Sequence, residues 1–308
     1  MATPYAYLGK QFVPLAEAKI SVMTHAFNYG TAVFEGIRGN WNEEEKQTYL
    51  FRLADHYRRL HQSCRILKID LPYSNDELCD ITVRLVEMCG YQEDAYIRPI
   101  AYKSSTALGV RLHGLEDDFL IFAIPFGPYL DIEKGARCGT SSWRRVEDTS
   151  IPARAKVNGI YVNSALAKTE AVEHGYDEAI ILNEDGHVSE GSGENIFIVE
   201  GGRLITPPAW ANILVGITRD TVITLAREEL GIETVERPID RSELYLADEC
   251  FMTGTAAHVT PVIEVDHRAV GEGKPGPIAV ELQRLYFDVV RGKNGKYAHW
   301  CTACHIAR

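Results

Sequence analysis

DEAIILNEDGHVSEGSGENIFIVEGGRLITP, residues 177–207, is the stretch that decides the fold class. It passes through DEAIILN, HVSE, NIFIVE and RLITP, strand-like segments with EDG and GG as turns between them. Spacing this short leaves no helix between successive strands, so the one-to-one alternation of a doubly wound sheet is missing. Around it, helices are predicted in three places: after Lys156 as far as Gly175, from Gly216 to Gly231, and from about Pro277 to Gly292. Strands outnumber helices, and the reading is an α+β chain of two domains.

The first third mixes the two kinds of element. YAYLGKQFV reads as a hairpin turning at Gly9-Lys10. Leu53, Tyr57, Leu60 and Leu67 make a helical stripe, and a second helix opens at Ser74 with Glu77 as its capping-box partner, turning Leu78, Ile81, Leu85 and Met88 inward. Strands AYIRPIAY and DFLIFAIP follow. FGPYLDIEKG then breaks both periodicities with Gly127, Pro128 and Gly135. The expected division is a small α/β domain over 1–125, an interdomain loop over 126–135 and a large domain over 136–308. No internal repeat or low-complexity segment is present.

Composition excludes several classes of protein. The 308 residues suffice for one large or two ordinary cores, and 45% apolar with 24% charged residues are average globular values. A formal charge of -11 argues against a surface that tracks nucleic acid phosphates. No apolar run approaches the ~20 residues that span a bilayer. MATPYAYLGKQFV has neither the basic start nor the apolar core of a signal peptide, so the expected compartment is the cytosol. Cys64, Cys79, Cys89, Cys138, Cys250, Cys301 and Cys304 are an odd, scattered set that reads as reduced thiols. Cys301-Thr302-Ala303-Cys304-His305 spells the haem-attachment pentapeptide, but so near the end it reads as a frayed tail. His25, His56, His61 and Asp55 have no metal-ligand spacing, no metal site is expected, and GEGKPG at 271–276 lacks the spacing of a phosphate loop.

The chemistry gathers at Lys156, at Glu190-Gly191-Ser192-Gly193-Glu194-Asn195-Ile196-Phe197 and at Gly216-Ile217-Thr218, where a helix opens. Pyridoxal 5'-phosphate asks a protein for an amine to condense with its aldehyde, an acid beside its pyridine nitrogen, an anion cradle for its phosphate and a hydrogen bond to its phenolic oxygen. This stretch offers a candidate for each. For the phosphate, a dianion wants backbone N–H groups at a helix start, which Gly216, Ile217 and Thr218 supply.

SEGSGENIF, LIT and LVGITR, in that order, resemble the signature of the class IV aminotransferases, the fold-type IV group of pyridoxal phosphate enzymes. HAFNYGTAVFEGIRG, YIRP, AKVNGIY and TGTAAHVTPV extend the likeness over nearly the whole chain and resemble the branched-chain amino acid aminotransferases. The resemblance implies a large domain with a barrel-like β core, pyridoxal phosphate as cofactor and a homodimer or higher homo-oligomer. It implies transfer of the amino group between leucine, isoleucine or valine and 2-oxoglutarate by a ping-pong mechanism, with the 2-oxo acids and glutamate as the other partners. It casts Lys156 as cofactor anchor and general base, Glu190 as partner of the pyridine nitrogen, Tyr161 as donor to the phenolic oxygen, and Arg59 and Thr255 as further phosphate ligands. Glu194 competes with Glu190, and Arg58 with Arg59; the motif's start favours Glu190 and the run RLHQS favours Arg59.

Substrate contacts follow in the same way. Period-two alternation puts Tyr96, Arg98, Ile100 and Tyr102 on one strand face. By resemblance Tyr96 and the backbone of Thr255, Ala256 and Ala257 hold the α-carboxylate, and Arg98 meets the distal carboxylate of glutamate. Tyr29, Phe34, Phe126 and Tyr129 form the apolar wall, while Leu108 and Val110 match a loop that reaches in from a neighbouring subunit. Two positions depart from the pattern: Phe126 stands where many relatives carry Trp, and Arg111-Leu112-His113-Gly114 replaces a frequent Asn-Pro. Sibling activities on the same cofactor, a D-amino acid or (R)-amine aminotransferase or an aminodeoxychorismate lyase, stay open here, as does a scaffold that has lost catalysis.

Overall fold

The computed structural model describes residues 4–127 and 129–306, so Pro128, within the expected interdomain loop, lies outside the described residues. The chain divides into two compact units. The first takes in the described residues up to Gly127, Ala155–Gly159 and those from Asp288 on; the second takes in 129–154 and Ile160–Phe287. The sequence reading ran one large domain unbroken over 136–308, whereas 155–159 and the C-terminal segment belong to the first unit. Pairing explains the difference: Cys301–Cys304 adds antiparallel to Gln47–Phe51, and Val157 bridges Val33.

Among the described residues, the first unit is built on an eight-stranded sheet in the order Cys301–Cys304, Gln47–Phe51, Ile37–Asn42, Ala95–Lys103, Asp117–Pro125, Tyr5–Leu8, Gln11–Pro14, with Ala32–Phe34 also paired to Ala95–Lys103. Gly9 and Lys10, at φ 58° and 61°, close the first hairpin as a two-residue turn whose twist suits the strands it joins. Ala95–Lys103 pairs along its whole length with Asp117–Pro125, and from Ala95 to Ala101 its residues alternate between buried and half-buried. Helix Leu53–Ile66 buries Leu53, Tyr57 and Leu60 as its stripe predicts. Helix Asn75–Cys89 begins with the Ser74/Glu77 capping box, but its inward face is Leu78, Thr82, Leu85, Val86 and Cys89. Met88 is exposed and Ile81 half-buried, because the Thr82 hydroxyl bonds that of buried Tyr57 and draws the polar side of the helix inward. The tail is likewise not frayed: Cys301–Cys304 is a strand, Cys304 is fully buried, and its backbone is satisfied by the sheet edge.

The second unit carries a nine-stranded mixed sheet, curled as a half-barrel, in the order Val188–Gly191, Glu178–Leu182, Ala136–Arg144, His258–Val265, Glu249–Gly254, Asn195–Glu200, Arg203–Thr206, Thr234–Glu236, with Arg268–Ala269 paired to His258–Val265. All four segments of the 177–207 stretch are strands in it. One face buries Ile180, Leu182, Ile196, Ile198, Val262 and Val265 in an aliphatic core. Helix Tyr161–Glu173 lies on Ala179 and Ile181 through Ala167 and Ala171, small side chains that let helix and sheet approach closely. No described helix is long and apolar enough to cross a membrane, and all seven cysteines are free thiols.

Candidate active site

In the first unit the site residues gather around Phe34, the last residue of strand Ala32–Phe34. Its backbone N–H donates to the Lys156 carbonyl at 3.0 Å, while Lys156 N–H donates to Ser63 Oγ at 3.2 Å. The Lys156 backbone is thereby pinned from two sides, and its half-buried side chain brings Nζ to 5.0 Å from the Phe34 ring centroid. The Arg98 guanidinium lies 4.3 Å over the same ring and 5.0 Å from the Tyr96 ring, and donates from Nη2 to Tyr96 Oη at 3.0 Å. Tyr96 in turn packs on Phe126 with ring centroids 5.3 Å apart. Strand alternation thus places Tyr96 and Arg98 together as expected, against an aromatic wall and beside an amine. Arg98 Nε is buried with no hydrogen-bond partner among the described residues.

Arg59 projects from helix Leu53–Ile66 with 12% of its side chain exposed, whereas Arg58 is 64% exposed and paired with Asp55. Arg59 donates from Nε and Nη2 to the two oxygens of Glu35 at 2.8 and 2.7 Å, and His56 Nδ1 lies 2.7 Å from Glu35 Oε2. Burial alone would raise the Glu35 carboxyl; the Arg59 charge and the hydrogen bonds from Arg59 and His56 outweigh it and hold the group at about 2. His56 is pushed down, first by burial and then by the Arg59 and Lys156 charges, against the pull of Glu35. The sequence reading weighs His56 only as a metal ligand and passes over Glu35, since nothing local tells an acid after a strand that its partners sit on a helix 21 and 24 residues later.

Tyr29, Leu108 and Val110 form a separate group at the surface of this unit. Tyr29 Oη accepts from Gly109 N–H at 3.0 Å, and fully buried His25 holds the same glycine through its carbonyl at 2.9 Å while its other nitrogen meets Thr31 Oγ1 at 2.8 Å. The loop tip is therefore fixed while Leu108 and Val110 remain exposed, at 61% and 93%.

In the second unit a register shift between Val188 and Glu190 turns the Glu190 side chain to its own set of partners. Glu190 is buried; Oε1 lies 2.7 Å from buried Arg145 Nη2, and Oε2 accepts from Asn195 Nδ2 at 3.0 Å and from Leu214 N–H at 3.1 Å. An arginine and two neutral donors stabilise the ionised form. Glu194 is the opposite case. Burial first and the nearby Glu178 charge second push its carboxyl up to about 8, so near neutrality it holds its proton. Fully buried Glu178 is itself paired with Lys168 Nζ at 2.6 Å, and Lys168 lies 5.1 Å from the Tyr129 ring, so Tyr129 belongs to this charged cluster within its unit.

Gly216 caps helix Ile217–Glu229 with no side-chain cap of its own, and Thr218 in the first turn is buried. A Cβ on Gly216 would overlap Asn195 Oδ1, so a larger residue there would displace the Asn195 amide. Asn195 therefore ties the strand carrying Glu190's neighbours to the helix start, its Nδ2 also donating to Leu214 O at 2.8 Å. Thr255, Ala256 and Ala257 form the tip of the hairpin closed by the Gly254/His258 pair. Tyr161 opens helix Tyr161–Glu173 and is half-buried.

The model of the family described as amino-transferase class IV matches residues 32–265, most of the chain. The chain belongs to the class IV aminotransferases. Within that class it is similar over nearly its whole length to branched-chain-amino-acid aminotransferases. It is 54% identical, over 97% of this chain and 96% of the other, to a protein of Aquifex aeolicus (strain VF5) described as a probable branched-chain-amino-acid aminotransferase. The crystal structure of branched-chain aminotransferase from Thermoproteus uzoniensis with norvaline superposes with a TM-score of 0.94 at 47% identity, covering 98% of this chain and 99% of that one. That of the branched-chain amino acid aminotransferase from Thermobaculum terrenum in its PLP-form gives 0.94 at 40% identity, covering 99% of each chain. Membership at this level makes the protein an aminotransferase of the branched-chain type that depends on pyridoxal 5'-phosphate.

Proposed function

We propose that the protein moves the amino group between leucine, isoleucine or valine and 2-oxoglutarate in two half-reactions, with Lys156 as the amine that anchors the cofactor and shuttles the proton. The observation that carries this reading is the grouping of Lys156, Phe34, Tyr96, Arg98 and Phe126: a pinned amine, an apolar aromatic wall and one buried-edge guanidinium. Aliphatic side chains need only the wall, and the distal carboxylate of glutamate needs the cation as well. The resemblance alone adds Tyr29 and Tyr129 as substrate contacts, and gives the α-carboxylate to Tyr96 and the Thr255–Ala257 backbone.

The donor set also suits the cofactor. Bound pyridoxal phosphate supplies an aldehyde to carry the amino group and a ring that accepts electrons. Arg145, Asn195 and the Leu214 N–H hold both Glu190 oxygens, which suits a carboxylate that must be aimed at a protonated pyridine nitrogen. Glu194, protonated at neutral pH, is the poorer choice for that task. Gly216, Ile217 and Thr218 offer a helix start to a phosphate, with Arg59 and Thr255 as its side-chain ligands and Tyr161 as donor to the phenolic oxygen. Lys156 would be the base that moves the proton between the substrate α-carbon and the bound cofactor.

The exposed apolar side chains of Val22, Phe27, Leu108 and Val110 support a homodimer, in which Leu108 and Val110 serve the neighbouring copy. Seven unpaired cysteines support a reducing, cytosolic setting. Lys156→Ala tests the core of the reading. After borohydride reduction the wild type should carry covalently attached cofactor at Lys156 and the variant none; label retained in the variant would overturn the assignment.

A further inference from the structure

Phe34 and Glu35 are consecutive, and they do two jobs at once. The Phe34 N–H holds the Lys156 carbonyl, and the Glu35 carboxylate grips Arg59. Glu35 is itself fixed: it has no exposed side-chain surface, and its N–H donates to the Pro99 carbonyl at 2.9 Å. A guanidinium is planar, so tying its Nε and Nη2 edge to two carboxylate oxygens sets the plane of the group and the direction of Nη1. His56 stands three residues before Arg59 on the same helix face and also meets Glu35 Oε2, at 2.7 Å, so the carboxylate is held by a second group besides the arginine.

We propose that Glu35, braced by His56, is a positioning residue that aims Arg59 at the cofactor phosphate and ties that aim to the same strand end that fixes Lys156. The proposal rests on the reading of Arg59 as a phosphate ligand. A buried ion pair is weak evidence of a purely stabilising role, because an apolar pair of similar volume often does as well. A fixed guanidinium direction is something an apolar pair does not provide. Unlike a free arginine, one held in this way loses little freedom when an anion arrives.

Paired ligands separate the positioning role from a structural one. The full-length protein, resolved of cofactor, is titrated with pyridoxal 5'-phosphate and with pyridoxal, which lacks the phosphate; the ratio of the two Kd values measures what the phosphate contributes. Arg59→Gln should shrink that ratio roughly ten- to hundred-fold. Glu35→Gln should shrink it about tenfold while leaving pyridoxal binding nearly unchanged, His56→Asn should shrink it less, and Glu35→Gln should add little in the Arg59→Gln background. Pyridoxal binding doubles as the check of folding, and Glu35→Asp, which keeps the charge and retracts it, replaces Glu35→Gln if the latter fails to fold. If Arg59→Gln lowers the ratio but no Glu35 variant does, or if the two effects add in full, the positioning role is overturned and the ligand reading stands. If Arg59→Gln leaves the ratio unchanged, the ligand reading itself is wrong and the proposal goes with it.

Discussion

Arg98→Leu separates the two substrate classes that one site must accept. In the structure Arg98 spends one donor on Tyr96 Oη, rests its face on Phe34 and keeps Nε buried without a partner among the described residues. Leucine preserves apolar contact with Phe34 and removes every donor. An amino acid with an aliphatic side chain loses nothing it was using, so its half-reaction should change by only a few-fold. Glutamate loses a charge-assisted, two-point contact worth about 2 to 3 kcal/mol, which at about 1.4 kcal/mol per decade is some thirty- to two-hundred-fold in kcat/KM. Single half-reactions with glutamate and with leucine, followed by the visible absorbance of the bound cofactor, measure both numbers on one preparation. Tyr96→Phe is the companion, since it deletes the one hydroxyl that Arg98 holds. Equal losses for the two donors would refute the reasoning and mean that Arg98 holds the α-carboxylate they share. No loss for either would move the distal-carboxylate role to exposed Arg111.

Glu190→Gln should leave cofactor binding largely intact and slow both half-reactions by orders of magnitude, mostly in kcat, because an amide flanked by Arg145 cannot keep a proton on the pyridine nitrogen. The matching Glu194→Gln should be far milder in rate, and the reverse ranking would show that the wrong glutamate has been assigned. Glu194→Gln should instead change how stability depends on pH. With an ordinary value of 4.5 and a folded value of about 8, the folded chain holds a proton that the unfolded chain has lost over that window. That contribution is complete below about pH 4.5 and is lost as pH rises through 8, at up to about 1.4 kcal/mol per pH unit for one proton. Thermal unfolding of the wild type from pH 5 to 8 should show this fall relative to Glu194→Gln; parallel curves would mean that Glu194 is ionised in the fold.

Much of the fold could be read from the sequence wherever local chemistry and tertiary placement agree. The turn at Gly9-Lys10, the capping box at Ser74 and Glu77, and the four strands of 177–207 are each decided by their own residues. Agreement fails where a distant partner decides. Met88 continues the apolar period of its helix yet faces outward, because Thr82 finds Tyr57 and rotates the buried face. The pentapeptide at 301–305 has the composition of a loose end, and only the open edge of Gln47–Phe51 makes its first four residues a strand.

The site divides along the same line. Lys156, Glu190 and Gly216 can be proposed from their motifs, whereas the residues packed against such candidates cannot. Arg145 precedes Glu190 by 45 positions, and Glu35 precedes Arg59 by 24. Each is an ordinary charged residue in its own neighbourhood, and each is buried against its partner only after two elements of the same unit have packed. The physical signature is the same in both: a charge with almost no exposed surface whose counter-charge belongs to a residue already assigned to the cofactor. A charge placed so is costly to desolvate, and its counter-charge and hydrogen bonds have to offset that cost. Arg98 is the complementary case: it keeps a buried nitrogen that no described residue satisfies, and that nitrogen supports, alongside the Phe34 and Tyr96 contacts, its proposed place beside the substrate.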